Sequence, residues 1–275
     1  MGISIGIDIG TSAIKYAALS RDEGTLGCKR TDVGNGIAEA EQGLRSFITE
    51  FALEEQRIDV IGLTGIRAAL DTDHLAGIPV HRVTEFAANG AGGLFLSHQN
   101  EAIVCSMGTG TAIVSATPEG FRHVGGSAVG GGTLVGLCRR LFGLDDVGQI
   151  NKLAEQGNLK MVDWSIAEVS GVEMPTLPDF ATSSNLGKMD ARATDADVAL
   201  GIINMIFQTS GTLAVFACRN ENLNSVVMVG TAATIPAGRT VLEQVGLLYG
   251  TQFIVPENAP FAAAIGAAKL AMASS

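Results

Sequence analysis

Aromatic residues are scarce in this 275-residue chain: one Trp, two Tyr and 11 Phe, 5% in all. Its core must therefore be mostly aliphatic and alanine. Positive charge is also short, with 18 Lys and Arg against 28 Asp and Glu and a net charge of −10. That balance argues against a nucleic-acid partner, which needs a basic face. It leaves room for an anionic small ligand, because backbone N–H groups bind phosphate without net positive charge. The four cysteines, Cys28, Cys105, Cys138 and Cys218, form no CxxC pair and read as reduced thiols of a cytosolic protein. The four histidines, His74, His81, His98 and His123, have no HExxH or other zinc spacing. No GxxxxGK[ST] occurs, and "GGSAVGGGT" has neither the βαβ context nor the distal acid of a dinucleotide fingerprint. The opening "MGISIGIDIG" lacks a basic leader, and Gly6 stands where myristoylation wants Ser or Thr. The apolar tail 259–273 is too short for a bilayer and carries Lys269, so it reads as a buried helix. The expectation is a cytoplasmic protein with neither membrane nor nucleic-acid partner.

Hydrophobic residues make up 47% and charged residues 17%, which excludes disorder and suits one large domain or two smaller ones. Alternation predicts a strand over 3–9, and "GTSA" a turn into a second strand "IKYAALS"; "KRTDVG" predicts a third. Residues 37–51 carry apolar positions at helical spacing. "IDVIGLTG" predicts a buried strand, and "GIPVHRVTEF" a short strand leading into the helix "EFAANGAGGLFLSHQ". The pattern then restarts. "EAIVCSMGTGTAIVSAT" is strand, glycine turn and return strand, and "GFRHVGG" follows as a third. Helix 195–219, strand "SVVMVGTAA" and helix 261–273 complete the second half. Strands with crossover helices indicate an α/β fold with mixed sheets. "GIDIGTSAIKYA" and "VCSMGTGTAIVSA" mark a coarse internal duplication about a hundred residues apart. The polar link "HQNE" suggests a boundary near Asn100, with domains 1–100 and 101–275. Residues 157–191 read as a surface excursion.

Asp8 at the end of a strand, followed by Gly10, Thr11 and Ser12, places a carboxylate beside a turn rich in donors. Such a turn suits a phosphate with its Mg²⁺, and Lys15 can return along the second strand to the phosphates; an ordinary hairpin with a surface Asp is the alternative. The turn Gly108, Thr109, Gly110 repeats the design without the acid. In "HVGGSAVGGGTLVGLCRRLFG", five glycines fall within residues 125–132, the last three followed by Thr133 and an apolar helix-like run. Bare backbone there suits either an oxyanion at a helix N-terminus or tight packing. Glu85 follows a short strand and opens a helix, where a carboxylate can accept the proton of an alcohol during phosphoryl transfer, or simply favour the helix dipole. Asp71 and Asp73 resemble a metal pair but read better as a solvated turn.

The chain resembles the type II pantothenate kinases of the acetate and sugar kinase/Hsp70/actin superfamily, nearly end to end. The resemblance rests on "GIDIGTSAIK", "VTEFAANG", "GTGTA", "RHVGGSAVGGGTLVGL" and "VPENAPFAAAIGA". It implies two actin-like (ribonuclease H-like) domains, and phosphorylation of pantothenate to 4'-phosphopantothenate with ATP and Mg²⁺, the first step of coenzyme A synthesis, in a homodimer. The family's catalytic Glu falls on Glu85, and its first-turn Asp, the metal-organising group, and Lys fall on Asp8 and Lys15. Its nucleotide loop falls on Gly130, Gly131, Gly132 and Thr133, with Gly10, Thr11, Ser12, Gly108, Gly110 and Gly230 around the phosphates. Substrate contacts fall on Thr109, Gly125 and Gly126. The family's active-site Arg sits directly before its "VGG"; here that position is His123, with Arg122 one residue earlier, and both are carried as catalytic candidates. A strand alternates faces, so Arg122 is expected to point away from a site that His123 faces. The alternatives are an ATPase switch of the dehydratase-activator type, with Cys105 and Cys138 as candidate iron–sulfur ligands, and a nucleotide-binding relative with another acceptor.

Overall fold

In the computed structural model the described residues are 2–32, 36–65, 72–171, 177–178 and 180–274. Asp71 lies outside them. Alternation of Ile with small residues forms β1 (Ile3–Ile9), which turns into β2 (Ile14–Ser20) and then β3 (Gly24–Thr31). Helix α1 (Ile37–Glu50) crosses over to β4 (Ile58–Thr64), and the short β5 (His74–Leu75) and β6 (Ile78–Arg82) complete a sheet of order β3-β2-β1-β4-β6-β5. The alternation decides the faces. Ile5, Ile7 and Ile9 are wholly buried in one cluster with Ala40, Leu44 and Phe47 of α1. Ser4, Gly6 and Asp8 face the other way.

Helix α2 (Glu85–Ser97) leads to β7 (Ala102–Met107), β8 (Thr111–Thr117) and β9 (Gly120–Ser127). Next come α3 (Gly131–Phe142), α4 (Val147–Ala154), the small hairpin of β10 (Trp164–Ser165), α5 (Ile166–Ser170) and β11 (Thr182–Ser184), and the long α6 (Asp195–Glu221). Finally β12 (Ser225–Val229), α7 (Pro236–Tyr249), β13 (Gln252–Ile254) and α8 (Ala262–Ser274) close the chain. The second sheet has the order β13-β12-β7-β8-β9. In each sheet two antiparallel hairpins precede a parallel neighbour: β4 on β1, and β12 on β7. The duplication seen in the sequence is thus a duplication of topology.

Helix α8 crosses back to the first sheet. It packs on β1, β4 and α2, so residues 1–100 do not close their own inner face. The approach is backbone to backbone. A Cβ on Gly6 would meet the Ala264 carbonyl oxygen at 1.7 Å, one on Gly62 the Ala267 oxygen at 2.1 Å, and one on Gly92 the Ala262 oxygen at 1.8 Å. That proximity explains the small residues of "AAAIGAAKLA" at the positions that meet Gly6, Gly62 and Gly92. The tail is a buried helix, as expected. On its far side α2 covers the second sheet, with Leu94 and Leu96 against Val104, Val114 and Val227. The other face of that sheet carries Ile103, Cys105 and Met107 under α3, α6 and α7. Helix α6 is long and apolar enough to cross a membrane by length and composition, but most of its apolar surface is buried in this core. Its start is fixed by a reciprocal cap between Thr194 and Asp197.

Candidate active site

Both sheets end at one cleft of about 890 Å³. At its floor, Asp8 leaves the end of β1 directly opposite Lys15 on β2, with Lys15 Nζ 4.0 Å from Asp8 Oδ2. Gly10 N–H donates to the Ala13 carbonyl at 3.0 Å and closes the turn between them. Burial pushes the Asp8 carboxyl above its ordinary range, opposed by Lys15. Burial likewise lowers Lys15, with Asp8 and Glu85 raising it and Arg30 lowering it further.

Glu85 is the first residue of α2. Thr84 caps that helix by accepting from Ala87 N–H, which aims the Glu85 side chain into the cleft rather than along the surface. Its carboxyl is held above the usual range, first by burial and then by the Asp8 charge, with Lys15 pulling the other way. Two carboxylates and one ammonium thus share a half-buried space in which the charged forms are costly.

The second turn, 108–110, faces the first. Thr11 Oγ1 and Thr109 Oγ1 lie 2.9 Å apart across the cleft. The start of α3 docks on this turn: Gly131 N–H donates to Gly108 O and Gly132 N–H to Thr109 O, each at 2.9 Å. Added Cβ atoms at Gly130, Gly131 and Gly132 would meet Gly110, Gly108 O and Thr109 at 2.7–2.8 Å. The triplet's bare backbone therefore meets backbone, and two of its donors are spent holding the turn. Gly131 and Gly132 still line the cleft, whereas Gly130 and Thr133 stand behind its wall. Thr133 Oγ1 accepts from Gly130 N–H at 3.2 Å and steadies the helix start.

Besides Gly130 and Thr133, which do not line the cleft, the structure corrects two further assignments. Arg122 lies opposite Ser115 on the outer face of β9 and pairs with Glu221 at the end of α6, so it does not reach the cleft. Strand alternation is the cause, and it puts His123 on the cleft side, stacked on Phe86 at 4.2 Å between centroids. Gly125 and Gly126 also lie off the cleft wall; a Cβ at Gly126 would strike Thr111 O at 2.4 Å, so that glycine serves strand packing. Asp8, Gly10, Thr11, Ser12, Lys15, Glu85, Gly108, Thr109, Gly110, His123 and Gly230 all line the cleft.

Sequence reasoning missed Asn89, buried one turn along α2 from Glu85, and Arg30, opposite Lys15 on β3. It also missed the apolar arm made by Val135, Val147, Ala232 and Ile235 with Gly136. Arg30 had a signal: counting hairpin register outward from Asp8 and Lys15 reaches it. The apolar arm had none, since Ala232 and Ile235, just before α7, enter from about a hundred residues away.

An oxygen donor set is present for a divalent cation. Asp8 is a carboxylate compensated only at 4.0 Å, and Thr64, in parallel register with it on β4, is fully buried with its hydroxyl unpartnered. Among the described residues no three His, Cys, Asp or Glu cluster as a cage. Mg²⁺ typically takes one or two carboxylates and completes its shell with phosphates and water, and the Asp8 carboxylate is a donor of that kind. The cysteines do not fit a cluster: Cys105 and Cys138 are fully buried in the apolar core, their thiols pushed up to about 12 and about 11 by burial.

Two lobes of one topology, each offering a glycine turn to a shared cleft, define the actin-like fold. The chain belongs to the Fumble family, whose model matches residues 86–235, a little over half of it. It is 26% identical to a protein named type II pantothenate kinase from Staphylococcus aureus (strain USA300), over 96% of this chain and 98% of that one. Among solved structures, the activator of the 2-hydroxyisocaproyl-CoA dehydratase from Clostridium difficile, with bound ADPNP, matches with a TM-score of 0.71 at 17% identity. That match covers 99% of this chain and 95% of the other. A ROK family glucokinase from Streptomyces griseus, with glucose and AMPPNP, matches with a TM-score of 0.65 at 13% identity, over 99% and 100%. The resemblance read from the motifs is borne out at the level of family and fold.

Proposed function

We propose that this protein is an ATP-dependent kinase that phosphorylates the primary hydroxyl of pantothenate, acting in the cytoplasm as a homodimer. The observation that carries the reading is Glu85: a carboxylate on a helix start, facing the cleft that the two glycine turns share, with its basicity raised by burial and by Asp8. A general base works best with its pKa lifted toward the working pH. The curated relatives' name supplies the acceptor.

In this reading the apolar arm of Val135, Val147, Ala232 and Ile235 takes the purine, and the turns 10–12 and 108–110 hold the phosphates. Glu85 takes the proton of the acceptor hydroxyl as the phosphoryl group moves. Lys15 balances charge between Asp8 and the phosphates. Asp8 would hold Mg²⁺, which would supply charge neutralisation to the phosphates. The docking of α3 on the second turn keeps Thr109 fixed, so catalysis rests on positioning and electrostatics.

The test is ATP consumption by the purified protein with Mg²⁺, with and without pantothenate, coupled to ADP detection. Strong pantothenate-dependent turnover is expected. Binding of ATP with no pantothenate-dependent turnover would refute the acceptor. The dehydratase-activator reading is disfavoured by the core positions of Cys105 and Cys138.

A further inference from the structure

We propose that Arg30 is the guanidinium that meets the transferring phosphoryl group in this cleft. The inference rests on the kinase reading above. Phosphoryl transfer spreads negative charge over the moving group's oxygens, and a cation must meet it. Arg122 cannot, because it is committed to Glu221 on the outer face of β9. His123 lies flat on Phe86, and an imidazole lacks the forked donors of a guanidinium. Among the described residues two arginines line the cleft, Arg30 and Arg139. Arg139 stands on α3 beside Val135 and Gly136, in the apolar arm, so its place on the helix and not its exposed pair with Asp145 sets it apart.

Arg30 stands at the reacting end. Asp8, Lys15 and Arg30 lie directly opposite one another on β1, β2 and β3, so the three side chains leave one face of the sheet. Two strand spacings, about 10 Å, separate the Arg30 and Asp8 backbones, a span that an arginine and an aspartate side chain largely cover. Arg30 is held by Asp32 at 2.8 Å, but the two side chains are 43% and 73% exposed. Solvent-exposed pairs of this kind are weak and readily exchanged. A dianionic phosphoryl group, offering bidentate acceptors in the less exposed cleft, is the stronger partner. Arg30 would swing from Asp32 onto the moving group as it leaves the nucleotide.

The experiment needs no acceptor. Calorimetry measures the affinity of the wild type, Arg30→Ala and Arg30→Lys for Mg²⁺–ADP, alone and with aluminium fluoride, the planar mimic of the phosphoryl group in flight. In the wild type, fluoride is expected to tighten ADP binding strongly. Arg30→Ala should lose on the order of a hundredfold of that gain while binding Mg²⁺–ADP within about twofold of wild type, which also shows that it is folded. Arg30→Lys should recover only part, and guanidinium ion added to Arg30→Ala should restore some tightening, which a merely structural role would not allow. Arg30→Ala keeping the full fluoride gain, or a wild type with no gain, overturns the inference and leaves the nucleotide site standing. Failure of the wild type to bind Mg²⁺–ADP overturns the kinase reading, and the inference with it.

Discussion

Replacing Gly266 in α8 by Ala sets two effects against each other. Glycine inside a helix is unfavourable by about 1 kcal/mol relative to Ala, so propensity alone makes Gly266→Ala stabilising. The structure says otherwise. The new Cβ would stand 1.9 Å from the Ala88 carbonyl oxygen and 2.6 Å from Gly92 N, both backbone atoms of α2. Real Cβ contacts essentially never fall under 3.0 Å, so α8 must withdraw by about 1 Å. That opens a seam shared with β1 and β4. Overpacking costs about 1–3 kcal/mol; with backbone neighbours that cannot rotate away the upper end applies, so the net loss is about 2 kcal/mol. Gly136 is the internal control. It is a glycine within α3 whose added Cβ meets nothing within 4 Å, so Gly136→Ala should gain about 0.5–1 kcal/mol. Thermal melts of the two variants should therefore move in opposite directions, by roughly 4–8 °C down and about 2 °C up. A Gly266→Ala protein as stable as wild type would refute the backbone-to-backbone seam.

Glu85→Gln should lower pantothenate-dependent kcat by about 10²–10⁴-fold with nucleotide affinity unchanged, measured by coupled ADP release and by calorimetry. The same variant should melt no lower than wild type at pH 7. Glu85 is raised in the fold, so its ionisation costs stability above its folded pKa, and the cost vanishes below its ordinary range; a pH series of melts checks this. The acid limb of kcat/KM should lie above the normal glutamate range and move to higher pH in Lys15→Met, because Lys15 lowers Glu85. A limb moving to lower pH would contradict the assignment. Under native conditions a thiol reagent should modify Cys28 far faster than Cys105 or Cys138, which are wholly buried; mass spectrometry of the labelled peptides reads it.

Much of the fold was legible because its signals are local. The hairpins at 10–13 and 108–110 announce themselves by apolar runs broken by Gly and Thr, and their repetition carried the two-sheet topology. The tail's continuous apolar composition announced a buried helix. Strand parity also foretold that Arg122 and His123 face opposite ways. Helix α7 was missed, as was the start of β3 at Gly24, where no sustained alternation precedes the "KR" pair.

Sequence by itself determined which residues need bare backbone and which strand ends carry charge, since glycine and alternation act through nearest neighbours. Only the tertiary structure decided what the bare backbone meets. At Gly131 and Gly132 it is the carbonyls of Gly108 and Thr109, where the sequence favoured a phosphate. The same holds for Arg30, which reaches the cleft by two steps of cross-strand register, and for α8, which lies on a sheet built from the opposite end of the chain. Contacts between residues far apart in sequence arise from the packing of whole elements, and no local pattern encodes which elements will meet.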